Sequence, residues 1–371
     1  VNRPAAKGWC PGAWRPMASG DGLIVRVRPH IGRLSADQVQ VLCTAALTHG
    51  NGIIGLTSRA NLQIRGVSEQ GLDQLLSELA GAGLLDDTPE AEAKRNIVIT
   101  PLWVAGDLTQ RLHDALLTAL PHLPDLPAKM GVAVDTGPAP LLSAISADFR
   151  FERSASGTLI LRLDGRDLGR EIIERDAPGA LIEAATWFTG TGGAQAGRMI
   201  RHKAPLPDGW ATTAAATAGP AIPPGAVQNG IAFGAPFGAI AARDLQGLLQ
   251  DTSATALRVT PWRVFILENA RPGPAHGFLT EPGPLLRTRA CPGAPHCASA
   301  SVETRALARE LADLPDLHVS GCAKGCAHPR PAATTLVGRD GVFDLVKHGA
   351  PWEEPALRGL TAAQVRELSL S

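Results

Sequence analysis

Four of the chain's six cysteines, Cys291, Cys297, Cys322 and Cys326, fall within 36 residues, spaced as C-x5-C and, after 24 residues, C-x3-C. A cubane iron–sulfur cluster needs four thiolates delivered from backbone that bends sharply around an inorganic core. The surrounding sequence suits that demand. Ala290-Cys291-Pro292-Gly293-Ala294-Pro295-His296-Cys297 and Ser320-Gly321-Cys322-Ala323-Lys324-Gly325-Cys326-Ala327-His328-Pro329 set Gly and Pro between and beside the thiols. The quartet reads as the cradle of a 4Fe-4S cluster, and so as redox chemistry. Three other accounts compete. A structural zinc site usually shows closer C-x2-C pairs or a Cys/His mixture, which His296 and His328 keep open. Two disulfides would need an oxidising compartment, and Val1 to Gly20 lacks the apolar core of a signal peptide. Four unrelated buried thiols are the third.

The other two thiols read differently. Cys43 lies among Val39, Leu42, Ala45 and Ala46 on one helical face and reads as a small buried hydrophobe. Cys10, in Trp9-Cys10-Pro11-Gly12, sits on a turn-rich segment where a thiol serves as an iron ligand, a reactive group or, most simply, packing.

With 371 residues, 35 basic and 35 acidic side chains, the chain is long enough for several structural units and is electrically neutral. Neutrality argues against binding nucleic acid or a membrane surface through bulk charge, so any anion site must be local. No uninterrupted apolar stretch is long enough to span a bilayer, and free cysteines point to the cytoplasm. There is no tyrosine to serve as a proton donor.

The elements that must position the thiols are legible as an α+β pattern. Strands are expected at 22–28, 53–57 and 62–66, with helices at 35–49 and 68–85; Ser35 is a good N-cap and Gly50 a good stop. A weaker echo occupies 229–270, where Asn229-Gly230-Ile231-Ala232-Phe233-Gly234 matches Asp21-Gly22-Leu23-Ile24-Val25-Arg26. Strands at 97–100, 131–134 and 158–163 and helices at 107–120 and 177–188 follow the first copy. The cysteines, a helix at 301–314 and strands at 317–320, 334–337 and 342–346 follow the second, and 350–371 reads as a terminal helix. The chain therefore divides into 1–86 (an N-terminal segment and a ferredoxin-like half), 91–205 (an α/β domain), 219–283 (a second ferredoxin-like half) and 284–371 (a second α/β domain, with the cysteines). Turn formers mark linkers at 86–90, 204–226 and 271–284. The order implies internal duplication. Gly190-Thr191-Gly192-Gly193-Ala194 follows a helix instead of opening one, so no nicotinamide-binding turn is expected.

A duplicated ferredoxin-like unit with C-x5-C and C-x3-C in its second half resembles the sirohaem-dependent nitrite and sulfite reductase family along nearly the whole chain. The likeness is carried by Gly22-Leu23-Ile24-Val25-Arg26-Val27-Arg28, Gly50-Asn51-Gly52, Thr57-Ser58-Arg59-Ala60-Asn61-Leu62-Gln63-Ile64-Arg65-Gly66-Val67, Lys94-Arg95-Asn96, Leu126-Pro127-Ala128-Lys129 and the cysteines. Within that superfamily, Cys10-Pro11-Gly12 before Gly20-Asp21-Gly22-Leu23, and the 320–329 stretch, are most similar to the oxygenase branch of aerobic cobalamin biosynthesis. The resemblance implies a nitrite/sulfite reductase-like fold with two α/β cofactor domains, and a carboxylate-rich tetrapyrrole held by Arg59, Arg95 and Lys129. Arg65, Asn61 and Gln63 would add polar contacts. Read from the residues alone, Arg59 and Arg65 are equally ordinary solvated strand-end charges.

Three departures separate this chain from the reductases. Their K-x-K is Lys129-Met130-Gly131, their N-D-x-x-R-N is Ala91-Glu92-Ala93-Lys94-Arg95-Asn96, and Ala323-Lys324 stands where Pro-Asn is usual. Losing anion-binding residues while keeping tetrapyrrole-binding ones suits a tetrapyrrole substrate. The branch implies oxygenation of precorrin-3A by molecular oxygen at C20 with γ-lactone closure, electrons from a separate donor, and a non-haem iron besides the cluster. His30, His49, His202, His318 and His328 are its ligand candidates by type alone. Sirohaem as cofactor belongs to the alternative, a nitrite or sulfite reductase.

Overall fold

The computed structural model describes residues 11–369. Cys10 lies outside them. Four sheets make up the described chain. The first orders Met17–Ser19, Gly22–Val27, Leu62–Val67 and Ile53–Leu56, and its last strand is Ala239–Ala241, from the second half of the sequence. The second orders Gly225–Val227, Gly230–Gly234, Val264–Glu268 and Ala256–Val259 and ends on Arg33–Ser35, from the first half. The two ferredoxin-like halves thus exchange a strand. Ile240 pairs with Ile54 in one sheet as Leu34 pairs with Leu257 in the other.

The exchange follows from local backbone. Before each exchanged strand the chain turns through two left-handed residues, Ile31-Gly32 (φ 50° and 65°) and Phe237-Gly238 (φ 61° and 69°). Each exchanged strand leads directly into a helix, Ala36–His49 or Ala242–Thr252, and the two helices pack against each other. Ser35 caps the first with a reciprocal box, accepting from the Gln38 N–H while the Gln38 side chain accepts from the Ser35 N–H. One apolar core runs through both halves, joining Val25, Val27, Ile54 and Ile64 to Ile240, Leu257, Phe265 and Leu267. Cys43 is fully buried in it, and burial pushes its thiol up to about 12, as inert packing requires.

The other two sheets repeat one another. Ile97–Ile99, Val132–Asp135 and Phe149–Arg153 are parallel, then Leu159–Leu163 and Leu168–Glu171 run antiparallel. Arg289–Ala290, Leu317–Ser320 and Ala332–Arg339 are parallel, then Val342–Gly349 and Leu357–Leu360 run antiparallel.

Several expected elements differ. The helix expected at 68–85 is Leu72–Gly81, because Ser68 and Gly71 close a turn before it and Gly83 takes a left-handed φ after it. That expected at 301–314 shortens to Arg305–Glu310. The linker expected at 86–90 contains the start of helix Pro89–Lys94, capped by Thr88, and 204–226 carries strand Thr213–Ala214 and the start of Gly225–Val227. Residues 350–371 include strand Leu357–Leu360 before helix Ala362–Ser369. Strand Phe149–Arg153, not expected from the sequence, carries the charged side chains Arg150 and Glu152. Both are buried, with Arg150 bonded to Asp164 and Glu152 paired with Arg162.

Candidate redox centre and tetrapyrrole site

Cys291 and Cys322 emerge one and two residues beyond the C-terminal ends of two adjacent parallel strands, Arg289–Ala290 and Leu317–Ser320. Open parallel sheets hold their cofactors there. The Gly321 N–H donates to Cys291 Sγ at 3.1 Å, tying the first cysteine loop to the second. N–H donors to sulfur are among the means by which proteins set a cluster's potential. The Thr304 hydroxyl donates to the Cys291 carbonyl and the Ser320 hydroxyl to that of Cys322, at 2.6 and 2.7 Å. Cys297 lies under the hairpin tip of the first half: a Cβ on Gly20 would fall 2.7 Å from its Cα, so only glycine fits there. Burial raises the Cys326 thiol above its ordinary range, and Cys291, Cys322 and Cys297 push the same way. The four thiols therefore share one neighbourhood, at wider spacing than a single ion's shell: among the described residues no three His, Cys, Asp or Glu side chains gather as ligands of one metal ion. Four convergent thiols on glycine-rich loops, with an N–H donor on one sulfur, fit a cubane cluster.

The five histidines do not converge. His49 meets Glu78 and His202 meets Thr191, while His30 lies in a turn near Arg95. Only His318 and His328 approach each other, edge to face with ring centroids 5.7 Å apart. Burial lowers His318 to about 3, so its imidazole is neutral.

The basic residues come together through the backbone. Arg59 Nη2 donates to the Lys129 carbonyl at 2.6 Å and Asn96 Nδ2 donates to the Met130 carbonyl at 2.5 Å, so the 129–131 turn is clasped from both sides. A Cβ on Gly131 would lie 2.8 Å from the Asn96 carbonyl oxygen. Where the reductases carry a second lysine, this fold leaves no room for a side chain. Arg95, 8% exposed, forms a fork with Asp86 at 2.6 and 2.9 Å and also donates to the Arg28 carbonyl. Among the described residues its Nη1 has no hydrogen bond. Gln63 faces Arg26 across one strand pair and Gly55 across the next, on the sheet face opposite the buried Leu62 and Ile64. Arg65 is forked to Asp21. Asn61 is buried, its main chain closing a turn with Thr57.

Sequence reasoning passed over Arg26 and Arg28. Arg28 lies between the carbonyls of Glu92 and Arg95, and burial lowers its guanidinium to about 10, with Arg26 and Arg95 as like-charged neighbours and Glu92 and Asp86 opposing. The available signal was the Val25-Arg26-Val27-Arg28 alternation, which puts two cations on one face of a core strand.

Fold and site define an oxidoreductase of the nitrite/sulfite reductase superfamily. Residues 15–82 match the nitrite/sulfite reductase ferredoxin-like half domain. The solved NirA protein of Mycobacterium tuberculosis superposes with a TM-score of 0.59 at 17% identity, over 93% of this chain and 79% of that one, and so shares the fold. A ferredoxin–nitrite reductase of Synechococcus elongatus is 28% identical over 141 residues, covering 35% of this chain and 27% of its own. A precorrin-3B synthase from Sinorhizobium sp. is 31% identical over 388 residues, 93% of this chain and 83% of that protein. The chain belongs to the precorrin-3B synthase family. No helix among the described residues is long and apolar enough to cross a membrane.

Proposed function

We propose that the chain is a monooxygenase that converts precorrin-3A to precorrin-3B in aerobic cobalamin biosynthesis, in the cytoplasm. One oxygen atom of O2 enters at C20 while a ring A acetate closes the γ-lactone. The other leaves as water, with two electrons and two protons from a separate donor. The observation that carries this reading is the span of the likeness: 93% of the chain aligns with a precorrin-3B synthase, against 35% with the nitrite reductase.

Cys291, Cys297, Cys322 and Cys326 hold the 4Fe-4S cluster, which supplies one-electron transfer when bound. Arg59 and Lys129 take substrate carboxylates, since one side chain fixes the backbone of the other. Arg95 is held by Asp86 and offers its Nη1 edge. Arg65, Asn61 and Gln63 add polar contacts on the same strand and turn. No ligand set for a non-haem iron gathers among the described residues, so no step is assigned to one.

The test is the visible spectrum of anaerobically purified protein with iron and acid-labile sulfide analysis, followed by an assay with precorrin-3A and oxygen. A broad cluster shoulder without Soret intensity, and oxygen-dependent precorrin-3B, are expected. Cys326→Ser should lose both cluster and turnover. A sirohaem spectrum with nitrite or sulfite reduction would replace this reading with the reductase one.

A further inference from the structure

We infer that the polar strand face ending at Arg65 continues into an anion site beside the cysteine loops: a cavity of about 240 Å³, walled by the first sheet's turns and the Cys291–Cys297 loop, that binds one carboxylate through Arg65 and Arg305.

Arg305 is the central observation. Its guanidinium makes no hydrogen bond or ion pair with any described residue, and its Nε is sealed from solvent without a partner. It also lies 6.0 Å from the centroid of the Phe237 ring. A half-buried guanidinium with its Nε sealed and unpartnered is stabilised where an anion meets it. Burial and the like charges of Arg65 and Arg309 disfavour the cation and outweigh the opposing pull of Cys291 and Asp21.

The acids at hand do not compensate it. Asp21 is committed to the Arg65 fork and to Asn51 Nδ2. Glu303 is exposed and pairs with neither guanidinium. Arg65 keeps Nη1 without a hydrogen bond among the described residues. The cavity thus offers two guanidiniums, one already satisfied on its other edge, and an apolar wall from Ile53, Ala294 and Pro295. Forked cations above aliphatic surface suit a carboxylate on a short carbon chain better than a bare inorganic ion.

That carboxylate has two sources, a peripheral acetate or propionate of the tetrapyrrole or a small free acid. Only the first rests on the proposed function. Cluster-loaded protein is titrated with succinate by calorimetry and with uroporphyrin by absorbance, for wild type, Arg305→Gln and Ala294→Leu. Ala294→Leu fills the cavity while leaving both cations. Iron content and circular dichroism are followed in each variant.

With iron and fold unchanged, both variants are expected to weaken at least one probe tenfold or more. Loss for uroporphyrin, with succinate competing, assigns the macrocycle. Loss for succinate alone assigns a free acid and holds even if the tetrapyrrole reading fails. Unchanged affinity for both probes overturns the site, as does a shifted cluster potential in Arg305→Gln without any carboxylate binding, which would make Arg305 only the cluster's counter-charge.

Discussion

The guanidinium of Arg59 donates to the carbonyl of Lys129, 70 residues further along the chain, at 2.6 Å. In the second half Arg263, from the corresponding turn, donates to the carbonyl of Thr288 at 2.7 Å. Thr57 and Thr260 occupy matching places in the two turns, their hydroxyls accepting from the N–H of Arg59 and of Trp262, and from each turn an arginine, though at a different position, reaches the α/β segment that follows it.

Arg59→Ala should weaken uroporphyrin binding 10- to 100-fold, about 1.5–3 kcal/mol for a hydrogen bond to a charged group, and leave cluster iron intact. Arg59→Lys should rescue poorly, because a point charge cannot serve a carbonyl and a carboxylate together. Hydrogen exchange in 127–131 should quicken in both variants. Unchanged affinity would remove Arg59 from the pocket.

Asp86→Ala strands a buried guanidinium, since Arg95 and Asp86 both have side chains 8% exposed. A loss of about 3–5 kcal/mol is expected, read from urea midpoints. Asp86→Ala combined with Arg95→Met should recover much of it. A double variant as unstable as the single one would show that the ion pair is not the cause.

Asp135 gives a pH-dependent prediction. It is fully buried with Oδ1 unpartnered. Burial raises its carboxyl to about 6; the N–H groups of Leu142 and Leu141 and the Thr100 hydroxyl oppose the rise, and Glu152 adds to it. Between the ordinary aspartate range and about 6, the folded state binds more protons than the unfolded. Stability therefore falls as pH rises through that window and levels above it. Asp135→Asn lacks this dependence, so its advantage over wild type should grow by about 2–3 kcal/mol between pH 4 and 7. A gap that stays constant with pH would refute the assignment.

The exchanged strands predict a shared weakness. A side chain on Gly238 meets the Leu56 carbonyl at 3.2 Å in a left-handed conformation, whereas Gly32 has 3.7 Å of room at its nearest contact. Gly238→Val should cost about 2–3 kcal/mol and Gly32→Val somewhat less, each in one cooperative transition because the core is common to both halves. Two separated transitions would show instead that the halves melt independently.

The sequence by itself determined the local facts. Cysteine spacing between glycines and prolines marked the candidate redox centre, Ser35 marked a helix start, and the repeated motif marked the duplication, because each depends on neighbours a few residues apart. Only the tertiary structure decided which charges are available. Arg59 and Arg95 look alike in the sequence, yet Arg95 is forked to Asp86 and Arg59 reaches across to Lys129. Gly131 reads as a lost lysine until Asn96 is seen to fill the space. Strand exchange, and the burial of Arg150 with Glu152, were likewise hidden. Such outcomes depend on pairings tens to hundreds of residues apart, where desolvation and packing decide whether a charge faces solvent, a partner or a ligand.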